Sequence, residues 1–471
     1  MTSVMLQTPT SDALAEFLAQ GREIAIQSNK PVLTSFSHRL HDDIDCLSLF
    51  ANIGKSNGYR AFWGRPAQDF WLVGKGNAAG LVFNGSQAMD EAVQAYRSLL
   101  ENALIEAPDI PGTGPVCMGG FRFDPQAPKD ADWSDFSDAG MVLPQFLFTR
   151  SVSAFWLTVN AIIESDTDVA MRAKELVTEL QNLDTDPLDG NYQPEIKKVT
   201  QDYLPQYCEY VRSALRNIEE GLLAKVVLAR RKILYAEEPF SIDSAIKQLT
   251  TNYPDCVIFA FDNGKSIFFG ATPESLASVS NGILNLTCLA GSTARGATPE
   301  EDYEFERQLF ESQKERWEHN AVVATVTESL QDLCRELNWD SELNVLKLRN
   351  VQHLLTSVTA NLHSGNNIFD VVKKLHPTPA VAGVPTSEAM SFIRQNEGDR
   401  GWYAAPVGCI DHMGGGEFVV AIRSALLLDK RAILYAGAGI VKGSDPEQEF
   451  QETELKFQPI LSALHGRNNV I

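Results

Sequence analysis

Paired cysteines are what this sequence most plainly lacks. Seven are scattered at 46, 117, 208, 256, 288, 334 and 409, and no two form a C-x-x-C pair. An odd count without ligand spacing argues against a disulfide framework and a structural zinc site. Reduced, mostly buried thiols in a cytoplasmic protein fit instead. Long apolar runs are missing too: none approaches about 18 residues, the length a membrane-spanning helix needs. Met1 to Asp12 lacks the basic start and apolar stretch of a signal peptide. Basic residues are scarce, 40 against 61 acidic ones, for a formal charge of −21. Nucleic acid and anionic membranes both need a basic face, so neither is an expected partner. A small anionic substrate remains open, because a few Arg and Lys residues focused in a cleft can hold one.

What is there suits a large core. The 471 residues are 44% hydrophobic and 21% charged, the range of a globular protein with about two or three domains. No repeat or low-complexity tract interrupts them. One composition change, Asp184 to Gln193 (DTDPLDGNYQ), reads as a linker, and the expected division is 1–195 and 196–471.

The N-terminal part predicts a helix over Ser11 to Ala25, then short strands at PVLTSFS, AFWGRP, FWLVGKG and LVFNG. SDTDVAMRAKELVTELQNL reads as a helix. Val116 to Pro125 reads as a glycine-rich strand edge. Further on, Leu204 to Glu220 is an amphipathic helix stopped by Gly221, and Lys225 to Ala236 is a strand. CVIFAFD-NGKS-IFFGA and LASVS-NG-ILNLTCLAG read as hairpins with Asn-Gly turns. Pro299 to Cys334 is predicted as one long helix, with two more near Ile368 to Leu375 and Ser387 to Asn396. Glu417 to Leu428 and Arg431 to Ala436 are predicted strands. A terminal helix follows over Asp445 to Leu464, with Pro459 a point of kinking or early ending. Hairpins outnumber βαβ units, so the expected fold is α+β with largely antiparallel sheet.

Two phosphate-loop look-alikes fail on their own terms. Asp262 to Ser266 (DNGKS) would need a glycine at 259, where Phe stands. Gly437-Ala-Gly439 is followed by Gly443, one residue late for a dinucleotide loop.

The carboxylates are more informative. Glu315 and Glu318 share a helix face, with His319 beside them. Glu449, Glu452 and Lys456 share another. Such faces are more often merely solvated. Here YAGAGIVKGS precedes the second, small and flexible enough to offer backbone N–H groups to an anion. Glutamates from different helices make an oxygen-only site that suits Mg²⁺ and not zinc. Lys225 is either an edge-strand lysine or a general base. Arg423, inside EFVVAIRSALLL, needs an anion, either a structural carboxylate or a substrate. His353 and His376 are lone histidines whose bland roles are the commoner ones.

Taken in order, these segments resemble the chorismate-utilising enzymes. The matching stretches are KVVLAR (225–230), FGATPESL (269–276), LAGSTAR (289–295), SQKERWEHNAVV (312–323) and VQHLLT (351–356). HPTPAVAGVP (376–385), RGWY (400–403), GGGEFVVAIRSA (414–425) and YAGAGIVKGSDPEQEFQETELK (435–456) follow. The resemblance covers roughly residues 200 to 460. It implies that family's fold: antiparallel sheets packed as a sandwich with helices outside.

The resemblance also implies roles. Lys225 is the base that activates water, and Glu274 the acid that protonates a departing hydroxyl. Glu318 and Glu452 are Mg²⁺ ligands, with Glu315 and Glu449 nearby. Arg423, Tyr403, Lys456 and the backbone of Gly437, Ala438 and Gly439 hold substrate carboxylates. His353 lines the pocket, as do Ala290 and Gly291 of LAGS. Such a base needs its pKa pushed down and such an acid needs it pushed up.

Departures narrow the activity. Family members with a covalent amine step carry lysine where Ala290 stands. No fused glutaminase or LLES feedback motif is found, so no glutaminase partner is expected. Glu315 stands where many relatives have Asp, a reach longer by about one C–C bond, roughly 1.5 Å. The N-terminal stretches IDCLSLF, FWGRP, WLVGKG, GGFRFDP and LPQF resemble the isochorismate synthases of menaquinone biosynthesis. The implied activity is Mg²⁺-dependent conversion of chorismate to isochorismate by a cytoplasmic monomer, for quinone or siderophore synthesis. A salicylate synthase and an inactive chorismate-binding paralogue are the alternatives.

Overall fold

The computed structural model describes residues 8–40, 44–54, 58–151, 154–186, 192–201, 204–347 and 351–465. Part of the predicted linker, 187–191, lies outside them. The chain divides into two compact units. The first comprises 1–274, 380–412 and 420–471, and the second 275–379 and 413–419. Residue 195, the expected boundary, falls inside the first.

A thirteen-stranded sheet dominates the first unit. Its middle runs Lys225–Ala236, Arg431–Val441, Ser424–Leu428, Ile267–Thr272, Val257–Asp262, Arg60–Arg65 and Phe70–Lys75, all antiparallel. Phe146–Ser151, Ala154–Ile163 and Val32–Leu40 extend it, and Leu104–Glu106 closes one edge with a parallel pair. Alternation explains which face is covered. Ile258, Ala260, Phe269, Ala425 and Leu434 point into one core with Leu249 and Phe457 of two helices, and all are buried. A second group of antiparallel strands pairs Pro406–Asp411, Val116–Phe121, Ala139–Leu143 and Ala79–Phe83. Val116–Phe121 is therefore an inner strand and not an edge. Its glycines permit close approach: a Cβ on Gly119 would sit 1.9 Å from the Gly140 carbonyl oxygen.

The second unit is built on Val351–Leu362, which pairs with Ile283–Ala294, Cys334–Trp339 and Asn344–Lys347. Ser275–Ser280 joins Ile283–Ala294 through Asn281 and Gly282, both at positive φ, as a tight Asn-Gly turn requires.

Three expectations need correcting. The predicted helix over Pro299 to Cys334 is two, Pro299–Glu311 and Gln313–Leu330, and Cys334 opens a strand. Ser312 breaks them: its ψ of 111° is extended, and its hydroxyl caps the second helix at the Glu315 N–H. The predicted strand Glu417 to Leu428 is also two, Gly416–Val420 and Ser424–Leu428, broken where Arg423 takes φ 48°. Pro459 does not stop the last helix, which runs Pro446–Leu464. The hairpin strands, Lys225–Ala236 and Ile368–Leu375 lie as predicted. All seven cysteines are buried thiols. Among the described residues no helix is long and apolar enough to cross a membrane.

Candidate active site

In the first unit the site starts from one strand pair. Lys225–Ala236 and Arg431–Val441 are antiparallel in the register Lys225 to Val441, Val227 to Gly439, Ala229 to Gly437 and Arg231 to Tyr435. Lys225 is flanked on its other side by Val384, so it is not an edge-strand lysine. Glycine opposite Val227 and Ala229 leaves one face of the pair bare. Added Cβ atoms would lie 3.0 Å from Lys225 Cε at Gly439 and 3.1 Å from the Tyr403 hydroxyl at Gly437. Those two side chains occupy the space that the glycines vacate.

The same pairing directs the amides. Val227 N–H donates to Ala382 O and Ala229 N–H to Glu397, both away from Arg431–Val441. The hydrogen-bonded pairs across the ladder are therefore Val226 with Ile440, Leu228 with Ala438 and Arg230 with Ala436. Gly437 and Gly439 alternate outward, to the side where the neighbouring strand ends with Ser424 opposite Tyr435. Lys456 Nζ takes the Gly437 carbonyl at 2.9 Å. The two glycine N–H groups face the side on which the pairing with Ser424–Leu428 has ended. Ala438 differs from its expected role: its amide lies in the ladder and donates inward. YAGAGIV is thus a strand and not a flexible loop.

Arg423 stands at the opening of that side. Its φ of 48° is unfavourable for a residue with a side chain. Gly270 makes it possible, since a Cβ there would come within 2.8 Å of Arg423 O. The half-buried Arg423 guanidinium has no hydrogen bond or ion pair among the described residues. Glu274 follows Ile267–Thr272. Its N–H donates to Thr272 Oγ1 at 3.1 Å, and its carbonyl accepts from Val420 N–H at 3.0 Å. Burial pushes the Glu274 carboxyl up, against the opposing pull of Lys225, Lys456 and Arg423. A carboxyl whose hold on its proton is strengthened by burial suits a proton donor.

Tyr403 stacks on Tyr435, centroids 5.1 Å apart and planes at 17°. Trp133 Nε1 donates to the Tyr435 hydroxyl at 2.8 Å. Burial pushes the Tyr403 hydroxyl up, with Arg400 opposing, so it is a neutral donor. Arg400 is buried, paired with Glu397, and donates to Val227 O and Val381 O at 2.8 and 2.9 Å. It pins the HPTPAVAGVP loop to the Lys225 strand.

On the last helix Glu452 pairs with Lys456 at 2.7 Å. Burial raises the Glu449 carboxyl, Ser444 lowers it, and the charge of Glu452 raises it. These two carboxylates, one turn apart without sulfur or imidazole, match the donor chemistry of Mg²⁺. Among the described residues no three His, Cys, Asp or Glu gather to hold a metal. The Glu318 side chain lies outside the described residues.

The second unit holds the remaining candidates. Ile283–Ala294 bulges between Ala290 and Ser292, with Gly291 at φ 72°. A Cβ on Gly291 would sit 3.1 Å from the Glu315 carbonyl oxygen, so the first turn of Gln313–Leu330 rests on the bulge. Glu315 and His353 are half-buried, and His353 pairs across from Ser292 and Leu346. His319 is fully buried between Ala290 O at 3.2 Å from Nδ1 and Thr356 Oγ1 at 2.7 Å from Nε2. Burial lowers its pKa, so the ring is neutral. A carbonyl only accepts, so Nδ1 carries the proton and Nε2 accepts from Thr356.

Sequence reasoning missed Trp133, Tyr435 and the work of His319 and Arg400. Tyr435, His319 and Arg400 stood inside matched stretches. Trp133 carried no signal, because only the fold brings residue 133 to residue 435.

An antiparallel sheet that carries a strand lysine, a carboxyl raised by burial and outward-turned glycine amides sets the frame for comparison with known proteins. The solved structure of MenF, the menaquinone-specific isochorismate synthase from Escherichia coli, matches with a TM-score of 0.76 at 24% identity. The match covers 95% of this chain and 100% of that one. Isochorismate synthase MenF of Bacillus subtilis is 34% identical over 459 residues, covering 94% of this chain and 95% of that protein. The salicylate biosynthesis isochorismate synthase of Pseudomonas aeruginosa is 32% identical over 458 residues, 94% and 93% of the two chains. The chorismate binding enzyme family model matches residues 17–465. This chain belongs to that family.

Proposed function

We propose that the chain is an isochorismate synthase, converting chorismate to isochorismate. The observation that carries this reading is the Glu274 carboxyl, pushed up by burial in the unit that also presents Lys225. Chorismate is a dianion, and three features here suit its carboxylates: Arg423, unpaired among the described residues, the outward N–H groups of Gly437 and Gly439, and the Tyr403 hydroxyl. Fixing both ends of the substrate leaves one ring orientation.

Lys225, in the proposed role of base, takes a proton from a water that adds at C2. The C4 hydroxyl departs from the opposite side of the π-system with the proton that Glu274 supplies. One water enters and one leaves, so the product is an isomer. Glu318 and Glu452, with Glu315 and Glu449 beside them, are the residues that resemblance assigns to Mg²⁺, which when bound neutralises and orients a substrate carboxylate. Lys456, tied to Gly437 and Glu452, keeps the glycine strand and the last helix in register. His353, Ala290 and Gly291 are proposed to line the ring. Ala290, lacking an amine, leaves water as the nucleophile. A cytoplasmic monomer working without a glutaminase completes the reading.

Incubation of the purified protein with chorismate and Mg²⁺, followed by chromatography, tests it. The expected result is a new peak of unchanged mass that yields pyruvate only after isochorismatase is added. Pyruvate and salicylate released unaided would replace this reading with a salicylate synthase. Unchanged chorismate would refute both.

A further inference from the structure

Among the described residues, the Lys225–Ala236 strand has no strand neighbour between residues 227 and 231 on the side away from Arg431–Val441. Gly383–Val384 covers only Lys225 and Val226, and Ile196–Gln201 begins its pairing at Lys232. Side chains close the gap: Arg400 reaches Val227 O, and Glu397 takes the Ala229 N–H at 2.8 Å. A cavity of about 220 Å³ opens there, lined among others by Tyr207, Arg230, Arg231, Glu397, Arg400 and Tyr435. None of the residues assigned above to substrate, metal or proton transfer lines it.

Its hydrogen bonding is lopsided. The acceptors are taken: Glu397 receives Ala229 N–H and Arg400, and Asp399 receives Arg122 and the N–H groups of Asp130 and Gly401. The vacant positions are donors. The Tyr207 hydroxyl and Arg230 Nη1 have no partner among the described residues, in side chains 2% and 1% exposed. The hydroxyl lies within the fields of Glu397, Glu449, Arg230 and Glu452, of which Glu397 and Arg230 line the same cavity. Orphaned buried donors are costly, and native proteins rarely keep them.

The charge is lopsided as well. Arg231 is matched by Asp130 and Arg400 by Glu397. Arg230 and Lys232, both buried, share the single carboxylate of Glu454. Two positive charges therefore share one negative charge beside the cavity. Water would satisfy the donors but not the charge. An occupant that accepts hydrogen bonds and is negative would satisfy both.

We propose that this gap is a binding site for a small oxyanion, a carboxylate or inorganic phosphate, held by the Tyr207 hydroxyl and Arg230 Nη1 and separate from the chorismate site. Tyr207→Phe is the informative variant. It keeps the ring packed on Phe450 and removes only the orphan hydroxyl. The full chain is titrated calorimetrically with inorganic phosphate and, separately, with acetate. The wild type is expected to bind one of them saturably, and the stronger of the two names the source. Tyr207→Phe is expected to bind it about tenfold or more weakly, the effect of one hydrogen bond to a charged group. Its Tm without anion is expected to be no lower than wild type. Arg423→Gln, which weakens the chorismate site, is expected to leave the titration intact. Three results would each overturn the proposal: equal affinity in Tyr207→Phe, loss of binding in Arg423→Gln, or no saturable binding of either anion.

Discussion

At the scale of single residues, chemistry here is set by burial as much as by identity. Glu274 is an ordinary glutamate in composition, yet burial outweighs three neighbouring cations and raises it. Its protonated fraction is full at low pH and falls as pH rises through that raised value. The rate is therefore expected to show an alkaline limb belonging to Glu274. Glu274→Gln should lose about 10²- to 10⁴-fold in kcat and lose that limb, read from pH–rate profiles. A limb that persists in the variant would assign it elsewhere. Lys225→Ala should lower turnover by a similar factor while circular dichroism and Tm stay near wild type. A near-normal rate would end its assignment as base. His319 shows the converse, a histidine that burial makes neutral, so that it holds Ala290 and Thr356 and exchanges no proton near pH 7.

At the scale of elements, the glycines opposite Val227 and Ala229 matter more than their flexibility suggests. They lie in a regular strand, and what they supply is room and two outward amides. Gly439→Ala places a Cβ 3.0 Å from Lys225 Cε. The lysine stem must then shift by a few tenths of an ångström or more, and misplacement at that scale degrades proximity. The expected outcome is a fall in kcat of roughly tenfold or more with Tm changed little, since the strand tolerates alanine. A kcat equal to wild type would show that Lys225 does not need that space. Elements were also where sequence patterns read best. Hairpins declared themselves through Asn-Gly turns, and Lys225–Ala236 through β-branched alternation. The breaks at Ser312 and Arg423 were not legible. Neither carries Pro or Gly at the break, and both are imposed by contacts: a cap on Glu315 N–H, and a carbonyl seated over Gly270.

At the scale of the whole molecule, the two units interleave in sequence. The chain leaves the first unit after Glu274, returns at Ala380, leaves again for 413–419 and returns at Val420. Glu274 is the last residue before the excursion, and Val420 N–H on the return holds its carbonyl. With a surplus of 21 negative charges, the proposed binding of a dianion would rest on local cations and on a bound metal. Chelation with EDTA is accordingly expected to abolish turnover, and Mg²⁺ in excess to restore it. Full activity in chelator would remove the metal from the mechanism.

The sequence by itself determined the family, through an ordered set of short stretches over residues 225 to 456, and with it the chemistry that Lys225, Glu274, Arg423 and the glutamates are expected to perform. It also set the antiparallel class, because period and turn residues are local properties. Tertiary structure alone decided three other things: that Gly437 and Gly439 rather than Ala438 turn their amides outward, that Arg423 makes no hydrogen bond or ion pair among the described residues, and that Trp133 supports Tyr435. Each depends on register or burial between segments far apart in the chain, and neither is written in any window of sequence.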